Sequence, residues 1–254
     1  GGYEAGYVEG KDAGSIVVAA PRVALDGDID ASTVAGIHQR LPATTVAANA
    51  LYRPCNQMPL SGQLTLGLTG QNISDLPNSL LPDVRIADGL VLPTLKNADG
   101  TPFDPLEDPL PVDWDFVGLR PGLIESSGAS RVNILANGTV TLASDVALTL
   151  PGDGSLAIAA GAVDIEGDVT AVSGTLTAVA RPTVQLTPAS GLSTLVLGEN
   201  AQLDFAGTWT NDTPVPGAVS GQDAVLIDGG AVTLTAQGGG TLDLRAGSLI
   251  DVSA

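Results

Sequence analysis

A chain of 254 residues with 28 Asp plus Glu against 10 Lys plus Arg carries a formal charge of −18, and a surface that acidic repels phosphate backbones, which excludes nucleic acid as a partner. Hydrophobic residues make up 44% but aromatics only 3%, so any core is aliphatic, and 32 glycines suit tight turns and stacked strands better than helices. No apolar run approaches the roughly 18 residues of a membrane span, and one cysteine, Cys55, leaves no intrachain disulfide framework.

The chain opens with GGYEAGYVEG, which has neither the basic nor the apolar region of a signal peptide. From Gly14 a beat begins. GSIVVAAPRVALDGDIDAS alternates apolar with small or polar residues, which predicts short strands over 16–18, 23–25 and around Ile29, with Pro21 and Gly27 near the corners. Residues 36–60 break the beat and hold the only His, Cys and Met. They read as an excursion with a short helix over 45–51, capped by Thr44 or Thr45 and stopped before Pro54. The beat resumes in GQLTLGLTG after Ser61 and in DVRIADGLVL at 83–92.

A second excursion covers 93–121. Its many prolines argue against a central strand or long helix and for an extended surface loop, and loops of that length are usually functional or disordered. Residues 122–180 carry the cleanest beat: Ile124, Val132 and Ile134, Val140 and Leu142, Val146 with Leu148 and Leu150, Leu156 and Ile158, Val163 and Ile165, Val169, then Leu176. Glycine-containing corners separate these bursts, as at Gly152-Asp153-Gly154 and Ser173-Gly174. Residues 183–205 continue it, a third excursion spans 209–222, and the closing stretch repeats it through Val232 and Leu234, Leu242 and Leu244, then Leu249 and Val252. That closing stretch ends on an open strand edge and reads as a junction, with the chain as a piece of something longer.

Three beats make roughly 20–25 residues, the size of one turn of a solenoid. The expected fold is all-β: one unit over 1–254, a right-handed parallel β-helix with loop excursions. Inward aliphatics would stack from turn to turn and backbone bonds would join strands about 4.8 Å apart. The alternative is a β-sandwich, which shares the turn spacing but needs paired hairpins.

Candidate chemistry is sparse. Asp104, Glu107, Asp108, Asp113 and Asp115 cluster in the second excursion, and oxygen-rich clusters of this kind suit Ca²⁺, the one cofactor the composition suggests. The plainer reading is a solvated acidic loop. Trp114 and Trp209 could stack on sugar rings or pin their own loops to the sheet side. Asp26, Asp28 and Asp30 begin like an EF-hand loop, but Ala31 and Ile37 stand where the glycine and the twelfth-position acid belong. His38 and Cys55 lack any local signature of a nucleophilic pair, and the G-x-S-x-G and P-loop patterns are absent. The expectation is a protein that is not an enzyme.

YEAGYVEGKDAGSIVVAAPRVALDGDIDAS at 3–32 and GGTLDLRAGSLIDVSA at 239–254 resemble repeat stretches of large filamentous haemagglutinin-type exoproteins, and 122–205 does so more loosely. The resemblance implies secretion by the two-partner route in Gram-negative bacteria, a right-handed β-helix at the cell surface, and a role in adhesion or biofilm. On that basis the chain is expected to be a non-catalytic internal or later segment presenting loops to a host or bacterial surface glycan or protein. Neighbouring segments or other copies would pack end to end, with no membrane insertion. A purely structural spacer of a surface layer or fibre is the alternative; a carbohydrate-active β-helix enzyme is the third reading.

Overall fold

The computed structural model describes residues 10–20, 23, 25, 27–36, 59–67, 81–90, 97, 99–102, 104, 106–108, 116–182, 193–208 and 228–254. These form an all-β structure of three parallel sheets. Sheet 1 joins β1 (Ser15–Val18), β2 (Gln63–Leu66), β5 (Arg131–Leu135), β8 (Ser155–Ala160), β11 (Thr175–Ala180) and β14 (Ala231–Ala236) in that order. Sheet 2 runs β4 (Phe116–Leu119), β3 (Asp83–Ile86), β6 (Thr139–Leu142), β9 (Ala162–Ile165), β12 (Thr194–Leu197) and β15 (Thr241–Leu244). Sheet 3 holds β7 (Ala147–Thr149), β10 (Asp168–Thr170), β13 (Gln202–Asp204) and β16 (Leu249–Asp251).

From β5 onward the chain visits the three sheets in rotation. From β8 on, each strand pairs in parallel with the strand three earlier; Ser155 lies beside Thr175, for example, twenty residues on. Every strand pairing among the described residues is parallel, whereas the β-sandwich considered as the alternative assembles from antiparallel hairpins. Parallel neighbours need a long crossover between them; here that crossover is made of the other two sheets' strands.

The alternation of the sequence becomes a two-faced strand. In β8, Leu156, Ile158 and Ala160 point inward and are buried, and β11 places Leu176, Ala178 and Ala180 directly against them. Sheet 2 contributes the column Val84, Val140, Val163 and Leu195, and sheet 3 contributes Leu148, Val169 and Leu203. All are essentially inaccessible to solvent, and full burial of a Leu or Val side chain is worth about 1.5–3 kcal/mol. Among the described residues the core has one buried aromatic, Phe205, in keeping with the composition.

Corners recur in one form. A backbone N–H donates to the carbonyl three residues back at Gly154, Gly174, Ala201, Gly240 and Ser248. The third residue of each turn sits in the left-handed region: Asp153, Ser173, Asn200, Gly239 and Gly247. Asn, Asp and Gly tolerate that region best. A second constraint acts one residue later. A Cβ on Gly174 would overlap the Gly154 carbonyl, and one on Gly230 would overlap the Gly174 carbonyl. These three glycines form a column in which only a bare backbone fits.

Four local expectations are corrected. The strands expected over 23–25 and around Ile29 do not form among the described residues; Val23, Leu25 and Ile29 pack on the core without regular pairing. The end of sheet 2 is β4, which lies inside the stretch read as an excursion over 93–121. After β3 the chain returns to lay β4 on the side of β3 away from β6, so it steps backward before going on. Pro121 then opens a six-residue helix, α1 (Pro121–Ser126), where its missing N–H costs nothing. Ile124, expected on a strand, is buried on that helix instead, and α1 packs against β7. Finally, Ile250 rather than Leu249 continues the inward column of sheet 3, because Ile250 pairs with Leu203. The helix expected over 45–51 and the third excursion over 209–222 lie outside the described residues.

Candidate functional site

The acidic excursion and the outer face of sheet 2 gather most of the polar chemistry. In the excursion, Asp104, Glu107 and Asp108 are described, while Asp113, Asp115 and both Trp114 and Trp209 lie outside the described residues. The loop is closed by its own carboxylates. Asp108 Oδ2 accepts from the Asn97 side-chain amide at 2.7 Å and from the Asp104 backbone N–H at 2.8 Å, and Asp104 Oδ1 accepts from the Leu106 N–H at 2.9 Å. At the other end Asp99 Oδ1 accepts from the Thr101 hydroxyl at 2.6 Å and its N–H at 3.0 Å.

These bonds favour the charged forms. The Asn97 amide, with the Asp104 N–H, holds the Asp108 carboxyl below the usual carboxylate range, and Thr101 does the same for Asp99. Asp104 and Asp108 are therefore brought together, by the Asp104 N–H on the Asp108 carboxylate and by the Asp108 N–H donating to the Asp104 carbonyl at 2.9 Å. Among the described residues no group of three or more His, Cys, Asp or Glu side chains is placed to hold a metal ion. Leu106 at the tip is 93% exposed, an unusual position for a leucine. Asn97, Asp99 and Thr101 went unnoticed in the sequence, although an Asp two residues before a Thr is a standard cue for a side-chain-closed turn. Asp28 and Asp30 stay apart from any such cluster: Asp30 Oδ1 closes a turn onto Ser32, accepting from its N–H at 3.0 Å and its hydroxyl at 2.7 Å.

The outer face of sheet 2 carries Arg85, Thr141, Asp164, Val196 and Asp243 side by side on successive strands. One position further along, Glu166, Gly198 and Arg245 follow the strands β9, β12 and β15. The Arg245 guanidinium bridges Glu166 at 3.2 Å and Asp243 at 3.4 Å. Asp164 is half-buried beside them. Burial pushes its carboxyl up, the neighbouring Glu166 charge adds to this, and Arg245 offsets part of it. At the far end of the sheet the Arg85 guanidinium lies 4.5 Å from the centre of the Phe116 ring.

One open groove runs between α1 and the 25–28 segment, lined by Leu25, Asp28, Arg120, Leu123 and Ser126. At about 200 Å³ it is smaller than the 300–1,000 Å³ typical of small-molecule sites. Among the described residues no helix is long and apolar enough to cross a membrane. Comparison with known proteins found no matching family model, no matching curated protein and no matching solved structure.

Proposed function

We propose that the chain is a non-catalytic, extracellular β-helical scaffold, a segment of a large bacterial exoprotein of the adhesin or biofilm type, whose rungs carry surface loops to a partner. The three sheets are read as the three sides of a right-handed parallel β-helix, each rung being one strand from each sheet. The observation that carries this reading is how the frame treats inserted sequence. Between β8 and β11 the registered partners Ser155 and Thr175 are twenty residues apart; between β11 and β14 the partners Thr175 and Ala231 are 56 apart, yet pairing continues residue for residue. Long segments leave at a corner and return without disturbing the next rung. Such an architecture suits the display of loops, because the cost of a longer loop grows only slowly with its length. The resemblance of residues 3–32 and 239–254 to filamentous haemagglutinin-type repeats supports secretion and a place on the outer surface.

Two deletions test it. Removing 93–115 or 209–222 from the intact chain should abolish binding to a host-cell or bacterial surface, while β-type circular dichroism is retained. Unchanged binding after both deletions, or no binding by the parent, favours the spacer reading.

The enzyme reading draws on one observation, the raised Asp164 carboxyl beside Glu166 on a single sheet face. Arg245 already engages Glu166 and Asp243, which gives those acids a structural role. A screen against acidic polysaccharides, with and without Ca²⁺, separates the two readings. Turnover lost in Asp164→Asn would replace the scaffold proposal.

A further inference from the structure

Sheet 3 has an edge in the interior of the chain. β7 pairs with β10 on one side and has no strand partner on the other among the described residues. α1 packs there instead. Its Glu125 carboxylate accepts from the Thr149 N–H at 2.8 Å, so a side chain does for β7 what a neighbouring strand would do with its backbone.

The segment that forms α1 carries the pattern of a sheet 3 strand. β7, β10 and β13 each have three residues, with one buried aliphatic between two outward positions: Ala147-Leu148-Thr149, Asp168-Val169-Thr170 and Gln202-Leu203-Asp204. Leu123-Ile124-Glu125 has the same order, with Ile124 buried between a half-buried Leu123 and an exposed Glu125. Set parallel to β7, Ile124 would lie beside Leu148 and extend the column Leu148, Val169 and Leu203. Glu125 would lie beside Thr149, the residue it already binds.

The length of chain permits this. The passage from a sheet 2 strand to the next sheet 1 strand takes thirteen residues from Leu142 to Ser155, ten from Ile165 to Thr175 and twelve from Leu119 to Arg131. The last of these climbs one strand spacing more, because β4 lies beyond β3. One spacing is about 4.8 Å, and the two residues beyond ten reach about 6.6 Å when extended.

The helix has little of its own to hold it. Six residues are far fewer than an isolated helix needs. Arg120 at the N-cap makes no side-chain cap bond, no acid lies in the first turn and no base in the last. Gly122 sits inside it, and glycine disfavours a helix interior. Tertiary contacts hold it: buried Ile124, the Glu125 bond to Thr149, and the buried Ser127 hydroxyl. That hydroxyl donates to the Ile124 carbonyl at 2.6 Å and accepts from the Ala129 N–H at 3.1 Å. Burial of Ile124 is common to both forms, so the strand would exchange two side-chain contacts for backbone pairing with β7.

We propose that residues 121–126 are a two-state element, α1 in one form and a fifth strand of sheet 3 in the other. This goes beyond the scaffold reading and holds whatever the loops bind. Leu123 and Ser126 line the groove against the 25–28 segment, so the change of form opens and closes that groove.

The test is exchange-sensitive NMR on the full chain, which reads microsecond-to-millisecond interconversion. Saturation-transfer profiles of the Cα carbons of 122–126 should show a second state with shifts on the strand side of random coil, and the Thr149 N–H should exchange in step. Gly122→Ala, whose Cβ meets open space, should deplete the strand state about five-fold by favouring the helix. Glu125→Thr, which removes the carboxylate and adds a β-branched residue, should enrich it several-fold. A single form, helix or strand, in the parent and both variants would overturn the proposal. So would a second state with random-coil shifts, or populations that the two substitutions leave unchanged.

Discussion

The Arg245 guanidinium reaches Glu166 by passing over Gly198. The three residues follow β15, β9 and β12 at the same register, so glycine occupies the middle place in the row. A Cβ on Gly198 would also stand 2.8 Å from the Glu166 Cα. The bridge and the strand spacing thus depend on the same missing side chain. Gly198→Val should cost about 1–3 kcal/mol by overpacking. Arg245→Gln should cost under about 1 kcal/mol, because both partners are well exposed. Urea denaturation of both variants checks the order.

The core should show a gradient along its length. Leu176 and Leu195 are fully buried, and Leu→Ala at such sites removes about 2–5 kcal/mol. Leu244, half-exposed, is expected to change stability by only about 0.5 kcal/mol on replacement by Ala, as for an ordinary surface site. Denaturation midpoints decide between a graded and a uniform core.

The glycine column of Gly154, Gly174 and Gly230 should be as unforgiving as a buried leucine. Gly174→Ala drives a methyl into the carbonyl of the corner beside it, and about 1–3 kcal/mol is expected from the backbone shift required. Gly89→Ala makes an instructive partner, since its Cβ would meet open space and only the left-handed φ of 66° resists it. Its cost should be the smaller of the two.

Asp164 and Asp99 should respond to pH in opposite directions. For Asp164 the folded carboxyl binds its proton more tightly than the unfolded one. Its favourable contribution is therefore complete below the ordinary carboxylate range and is lost as pH rises through the raised value. Asp164→Asn should raise the melting temperature at neutral pH and leave it unchanged in acid. For Asp99 the folded carboxyl is the stronger acid, so its contribution is present above the ordinary range and lost as pH falls through the lowered value. The Thr101 amide resonance, which reports the bond to Asp99, should titrate with a midpoint below that of a free aspartate.

The excursion loop should depend on Asp108 for its closure and the core should not. Asp108→Ala deletes the acceptor for both Asn97 and the Asp104 N–H. Limited proteolysis within 97–108 should quicken several-fold, with the global unfolding midpoint unmoved. An unchanged cleavage rate would mean the loop is held by something other than this carboxylate.

Much of this architecture is written in the order of the residues. The period-two alternation in 131–180, interrupted by Gly-containing corners, was enough to place the strands and to tell inward from outward positions. Alternation fixes a face as soon as one face is buried. The roughly 20-residue repeat was legible for a related reason, since one corner type in each repeat, as at Asp153, Ser173 and Asn200, demands a residue that tolerates a left-handed backbone, and those residues are few. Composition alone made the core aliphatic. What alternation does not encode is which strand lies next to which. That β4 steps back to the far side of β3 is a property of the assembled molecule, since which strand covers a free sheet edge is decided by pairing across the chain. Ile124 satisfied the apolar beat equally well as a helix residue, because a single buried side chain carries no period. The acids of 104–115 look like one cluster in the sequence, and the folded chain ties Asp108 into a self-closed loop instead. It also gathers Glu166, Asp243 and Arg245, which the sequence does not connect, because β9 and β15 flank β12 in one parallel sheet with strands about 4.8 Å apart.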